Sequence, residues 1–146
     1  MPILSPLLRG LASLLLLPAL AAQRPTPASL AQVLQASRWQ QRVLLIGAPT
    51  VSQAEFQQQK KLLANAATGL ADRDFRVLEV PFDQLPPADR QYWQHALGQS
   101  LSHFAVVLIG KDGGVKRVET QPLASASLFA TVDGMPMRRQ EMRTKK

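Results

Sequence analysis

The stretch Gly47-Ala48-Pro49-Thr50-Val51-Ser52-Gln53 puts two hydroxyls, Thr50 and Ser52, in a turn between the apolar run "RVLLI" and the long segment "AEFQQQKKLLANAATGL". A hydroxyl acts as a nucleophile only when a neighbouring base takes its proton. The only histidines, His95 and His103, lie in other segments, and no spacing brings them to the turn. A helix amino terminus favours an anion by about 1 kcal/mol, too little to ionise an alcohol. Ser52 therefore reads as the cap of the helix that follows, with Thr50 as the alternative. The free N–H groups of that helix end can also hold an anion, aided by Arg138 and Arg139 if the C-terminal segment folds back. Binding through Pro49, Thr50 and Ser52, rather than catalysis, is the role expected of this turn.

The other candidate groups are equally modest. "GKDGG" (110–114) is not a phosphate loop, which needs spaced glycines and then Lys-Ser/Thr opening a helix. Here lysine comes first and a strand follows, so Asp112-Gly113 predicts a hairpin with Lys111 and Asp112 exposed at its tip, open to a ligand. His95 and His103 do not share a helix face, and no ligand cluster surrounds them, so no metal or other cofactor is implied. Asp72 and Asp74 flank Arg73 in a turn, which reads as a solvated charge cluster. An acid/base pair would instead face across a cleft. The chain has no cysteine, which excludes disulfides, thiol redox chemistry and thiolate metal sites.

These residues must be positioned by a short list of elements. Ser29 predicts a cap for a helix over "LAQVLQAS", with Leu30, Val33 and Leu34 on one face. "RVLLIG" (42–47) is a continuous apolar run, as in a strand buried on both faces. A helix follows over about 53–68, weakened by Gly69, and "DFRVLEV" (74–80) predicts a second strand. "PADRQYWQHAL" predicts a helix opened by proline and closed by Gly98. "HFAVVLIG" (103–110) and "VKRVET" (115–120) predict a β-hairpin. A last helix over 125–133 ends at Gly134, and Pro136 can start one further turn. Trp39, Tyr92 and Trp93 are expected to anchor helices on the sheet. The order β-α-β-α-β-β-α predicts an α/β fold: a four-stranded mixed sheet with helices on both faces, two β-α-β crossovers and an antiparallel hairpin, the core of a thioredoxin fold.

The ends carry their own signals. Arg9, the apolar "LASLLLLPAL" and then Ala21-Ala22 describe a signal peptide over residues 1–22, cleaved after Ala21 or Ala22. Its apolar core is shorter than the roughly 20 residues that span a bilayer, so no transmembrane segment is expected after cleavage. Residues 23–36 read as a flexible start and short helix, 37–137 as the folded domain, large enough to bury roughly two-thirds of its unfolded surface. The whole chain is +7. Residues 138–146, "RRQEMRTKK", hold five bases against one acid, most of that excess. A block of like charge predicts a solvated tail whose Arg138, Arg139, Arg143, Lys145 and Lys146 attach weakly to an anionic surface. Export and the separation of this tail from the aromatics argue against nucleic acid as a partner.

Four segments, "RVLLIGAP", "GLADRDFRVLEV", "FAVVLIGKDGGVK" and "MPMRRQEMR", together resemble a thioredoxin-like family of unknown function. Its members include short secreted bacterial proteins and domains of animal extracellular-matrix proteins such as equarin and the sushi-repeat proteins. The resemblance spans roughly residues 37–143. It implies a thioredoxin-like domain outside the cytoplasm and brings no catalytic residues with it. Active thioredoxins carry a cis-proline before the strand matching "HFAVVLIG", whereas Ser100-Leu101-Ser102 stand here, in keeping with a redox-silent domain. Two functions follow. One is a non-catalytic module binding an unknown protein or an anionic envelope surface in the periplasm or outside the cell. The alternative is a cysteine-independent enzyme acting on an unidentified small substrate through Thr50, Lys111 or Asp112. Fold alone does not choose between them.

Overall fold

The computed structural model describes residues 26–145. The expected signal peptide and Lys146 lie outside the described residues. Helix α1 (Leu30–Ser37) opens on a reciprocal capping box. Ser29 Oγ accepts the Gln32 N–H at 3.2 Å, and the Gln32 side chain accepts the Ser29 N–H at 2.9 Å. Buried Asp89 also accepts the Leu30 N–H at 2.9 Å, fixing this helix end to the segment that carries Trp93.

Strand β1 (Arg42–Ala48) is buried along its whole length. Helix α2 (Ala54–Ala64) is shorter than the predicted one, and α3 (Ala67–Asp72) follows after a break at Asn65. Gly69 does not weaken a helix end but lies inside α3, where a Cβ would strike the Phe129 ring. Nor does Ser52 cap α2. Gln53 holds that position without a side-chain bond, while Ser52 Oγ lies 3.1 Å from Thr50 Oγ1. The two serines should therefore separate in chemical denaturation: Ser29→Ala is expected to cost about 1 kcal/mol, and Ser52→Ala less than about 0.5 kcal/mol.

Strand β2 (Phe75–Pro81) pairs parallel to β1, from Arg42 opposite Phe75 to Ala48 opposite Pro81. Helix α4 (Pro87–Gln91) runs into a π turn over Tyr92–Ala96, whose wider Leu97 N–H to Tyr92 C=O bond is 3.1 Å. Strands β3 (Ala105–Ile109) and β4 (Val115–Glu119) form the expected hairpin. Gly113 takes φ +84° at its tip, a conformation that glycine adopts without Cβ strain. Helices α5 (Ser125–Asp133) and α6 (Pro136–Thr144) close the described chain. Among the described residues, no helix is long and apolar enough to cross a membrane.

The sheet order is β2-β1-β3-β4. β3 runs antiparallel to β1, so the second β-α-β connection is not the parallel crossover that the element order predicted. The segment from 82 to 104 is long enough for either sense, which is why spacing could not decide it. Alternation along β1 and β3 divides the core between the two sheet faces. Leu44, Ile46, Ala48, Val106 and Leu108 meet α2, α3 and α5 on one side. Val43, Leu45, Val107 and Ile109 meet Leu30 and Leu34 of α1, and Trp93, on the other. Helices on both faces of a mixed four-stranded sheet are thus observed.

Two aromatic expectations part company. Trp93 is fully buried, its ring 5.1 Å from that of Phe82 and its Nε1 donating to the Ser100 carbonyl at 2.9 Å. Trp39 is not an anchor: it is 65% exposed and held at φ +64° in the α1–β1 turn. The turn's main-chain bonds, including Trp39 N–H to Lys111 C=O at 2.7 Å, hold the backbone there and leave the ring outside.

Candidate functional site

The turn between β1 and α2 has a settled geometry. Thr50, Val51 and Ser52 are exposed and Pro49 half-buried. The Gln57 amide donates to the Val51 carbonyl at 2.6 Å, and the Pro49 carbonyl accepts the Asp83 N–H at 3.3 Å. The hydroxyls of Thr50 and Ser52 are partners of one another. His95 and His103 are exposed in other segments, and a ring nitrogen of His103 faces the Phe104 carbonyl at 3.1 Å. Nothing in the turn has a base to make it nucleophilic.

Lys111 and Asp112 lie at the other end of β1. The strand register sets Val43 opposite Ile109, so the hairpin tip comes beside Arg42, about 20 Å along the strand from Pro49. Pro49, Thr50, Ser52, Lys111 and Asp112 therefore do not form one site. Nor is Lys111 free at the tip. Its side chain is only 10% exposed and its Nζ lies 2.8 Å from both Asp74 and Glu141. Burial pulls its pKa down, but the hydrogen bonds and charges of these two carboxylates outweigh that and raise it above the ordinary lysine value. Asp112 is exposed, and hydrogen bonds from Lys116 and the Gly114 N–H hold its carboxyl below the ordinary range.

The basic segment is not a solvated tail. It is α6, and its residues enter an ion-pair network with the Asp72-Arg73-Asp74 turn. Arg138 is buried, donating to the Asp72 carbonyl at 2.9 Å, to the Asp72 carboxylate, and to Asp133 at 3.2 Å. Arg73 reaches the same Asp133 at 2.7 Å and lies over the Phe129 ring. Glu141 forms a two-point bond with Arg42, 3.1 and 3.2 Å, and Arg42 also donates to the Arg73 carbonyl at 2.9 Å. Burial pushes the Glu141 carboxyl up, but Arg42 and Lys111 together bring it below its ordinary value. Arg138 is thus removed from any surface role. Arg139 and Arg143 are exposed, and Lys145 is exposed beside Asp72 at 3.5 Å.

A cavity of about 320 Å³ opens where the hairpin tip meets the start of α6. Arg42, Lys111, Asp112 and Lys116 form its polar wall, and Met135, Pro136 and Met137 its apolar wall. Arg42 is 1% exposed, and its Nε has no hydrogen-bond partner.

Residues 33–141 match the family described as "Domain of unknown function (DUF4174)". The chain belongs to this family. It is 29% identical, over a 140-residue alignment, to coiled-coil domain-containing protein 80 of Danio rerio, covering 80% of this chain and 16% of that protein. This chain therefore spans only a small part of that relative. Among solved structures it is similar to a reduced 2-Cys peroxiredoxin of Plasmodium vivax, at 14% identity and a TM-score of 0.55, covering 74% of this chain and 83% of that one. It is also similar to Trxlp of Edwardsiella tarda EIB202, at 23% identity and a TM-score of 0.51, covering 73% and 95%. At these identities the likeness establishes the thioredoxin-like fold and nothing about activity.

This DUF4174 domain has its main polar structure around two residues that motif reading passed over, Arg42 and Glu141, and around Arg138, which was expected at the surface. Arg42 and Glu141 belong to no known spacing pattern. Two signals were present in the sequence. Arg42 opens a run that is otherwise wholly apolar, and Glu141 is the lone acid in a basic segment. A charge inside an apolar strand demands a partner, and a single acid among bases is well placed to be one.

Proposed function

We propose that this DUF4174 domain is an exported, non-catalytic thioredoxin-like module that works by binding. The observation that carries this reading is the state of the groups that could act chemically. A lysine base or Schiff-base lysine needs a lowered pKa, and the Lys111 ammonium is held charged by Asp74 and Glu141. A general acid needs a raised pKa, and Asp112 is held ionised by Lys116. The Thr50 and Ser52 hydroxyls are paired with each other, and the chain has no sulfur nucleophile. The signal-peptide pattern of residues 1–22 supports export to the periplasm or beyond. The partner is a protein or an anionic envelope surface, the latter met by the exposed Arg139 and Arg143 of α6.

One preparation tests the reading. Protein recovered from its host's envelope fraction is expected to have lost its first 21 or 22 residues by mass spectrometry. It is also expected to show neither disulfide reduction nor peroxide turnover. An intact Met1 in that fraction would overturn export. Turnover of any small substrate that disappears in Lys111→Met or Thr50→Ala would replace the module by the cysteine-independent enzyme.

A further inference from the structure

The two edges of the sheet are built differently. An edge strand offers its outer N–H and C=O groups to any other extended chain, and soluble proteins blunt such edges by keeping them short, breaking their register or placing lysine on them. Strand β4 has all three devices: five residues, a register shift at Leu108/Ile109 of its partner, and Lys116. Strand β2 has none of them. It is seven residues long, pairs with β1 in unbroken register and carries no lysine. No strand adjoins it on the side away from β1. Among the described residues, no main-chain bond from outside the β1 ladder reaches residues 75–81.

A hollow of about 220 Å³ lies over this strand on the α2 face. Leu63 and Ala64 of α2, Leu70 of α3 and Val77 of β2 line it, together with the Lys60–Glu79 ion pair at 3.0 Å. Solvent reaches it: Val77 is 36% exposed, and the Lys60 and Glu79 side chains 41% and 45%. An unpaired edge with an apolar hollow beside it is what strand addition uses, the main chain giving affinity and the hollow selecting a side chain.

We infer that β2 accepts an extended segment of a partner protein as a fifth strand, with a large apolar residue opposite Val77 and an acidic residue opposite Arg76. The inference rests on the binding-module reading and gives it a partner class. Residues directly opposite one another in a sheet share a face, their Cβ atoms about 5 Å apart. The residue opposite Val77 therefore stands on the α2 face, at the hollow, which has room for a leucine or phenylalanine side chain. Lys60 and Glu79 already match each other, so the hollow calls for a neutral group. Arg76 is on the other face, in register with Val43 and alternating with Val77. It is exposed, and among the described residues it has no ion-pair partner. A carboxylate opposite it meets an unmatched guanidinium, and charge complementarity of this kind sets register and partner choice.

The test is a titration of the ¹⁵N-labelled full chain followed by NMR, with amide shifts and hydrogen exchange read along residues 75–81. The probes are two blocked hexapeptides. Acetyl-Thr-Thr-Glu-Phe-Thr-Thr-amide sets its acid and its ring opposite Arg76 and Val77 in parallel addition, and acetyl-Thr-Thr-Phe-Glu-Thr-Thr-amide does so in antiparallel addition. Controls replace Glu by Lys or Phe by Ser. The expected result is saturable binding of one probe, with shifts and slowed exchange along β2, and about tenfold weaker binding of each control. Arg76→Glu is expected to reverse the charge preference in favour of the lysine peptide, and Val77→Lys to abolish binding. Both side chains are exposed, and unchanged signals outside β2 check that each variant is folded. Shifts confined to 115–119, equal binding of the glutamate and lysine peptides, or no binding of either probe overturns the site. Protection of every β2 amide in the free, dilute protein, not only of the alternate ones bonded to β1, would mean that the edge is already occupied, and overturns it too. A bound peptide recovered cleaved would sink the non-catalytic reading while leaving the site intact. Absence of binding would sink the site and leave that reading to its own turnover assay.

Discussion

Glu141→Ala is expected to destabilise the domain by about 3 kcal/mol, a fall of about 10 °C in melting temperature. Glu141 is the acceptor for both Arg42 and Lys111, whose side chains are 1% and 10% exposed. Removing it leaves the Arg42 guanidinium buried with only the Arg73 carbonyl to receive a hydrogen bond, and breaking a buried pair this way costs roughly 3–5 kcal/mol. The lower end applies because Glu141 is 20% exposed and Lys111 keeps Asp74. Arg143→Ala, on the same helix but in solvent, is expected to change stability by less than about 0.5 kcal/mol. A solvated tail would make the two substitutions equivalent. Thermal unfolding of both variants decides the matter: a Glu141→Ala protein as stable as the parent would mean that the pairs of Glu141 with Arg42 and Lys111 contribute nothing to stability.

The same network sets an acid limit. Glu141 lies below its ordinary 4.5, the bonds from Arg42 and Lys111 outweighing burial. Asp133 lies below its ordinary 3.8, chiefly through Arg73. A carboxylate with a depressed pKa adds stability that is present above its unfolded value and is lost as pH falls through its folded one. The parent should therefore lose stability as pH drops below about 4, and Glu141→Ala should show a shallower loss over the same range.

How far the sequence could be read depends on whether a residue's fate was local. β1 and β3 were legible because a strand buried on both faces has an apolar run as its only solution. The hairpin was legible because Asp112-Gly113 supplies the positive φ that the turn requires. The same reasoning failed at Trp39 and succeeded at Trp93, two tryptophans that composition cannot separate. One is turned outward by main-chain bonds from a distant loop, and the other is drawn in by a π turn. The basic segment misled for a related reason. A run of like charge is normally solvated, but Asp72 and Asp133 come from two places in the chain and converge on it only after folding. Ser52 was given a cap's role on local grounds, and its neighbour Thr50 took its hydroxyl instead. Sense of pairing was the remaining gap: nothing in residues 82–104 marks β3 as antiparallel to β1.

Gly47 and Trp93 carry a contact that none of these local signals announces, and their substitutions are expected to be strongly non-additive. A Cβ added at Gly47 would lie 2.5 Å from Trp93 Cη2, 2.6 Å from Cζ2 and 2.9 Å from Phe82 Cε1. Gly47 is in the central strand β1, and Trp93 is tied to the Ser100 carbonyl, so neither side yields easily. Overpacking of this kind costs about 1–3 kcal/mol, and Gly47→Ala belongs at the upper end. Trp93→Phe removes Cη2 and Cζ2 together with the indole N–H. It leaves a cavity and an unmet Ser100 carbonyl, at a cost of about 2 kcal/mol. In the double variant the alanine methyl enters the space that the indole vacated. Its loss of stability is expected to be smaller than the sum of the single losses by more than about 1 kcal/mol, with the Phe82 contact as the residue of the clash. Chemical denaturation of the four proteins reads the coupling directly. Losses that add within about 0.5 kcal/mol would show that Gly47 is required for some reason other than the close approach of the Trp93 ring.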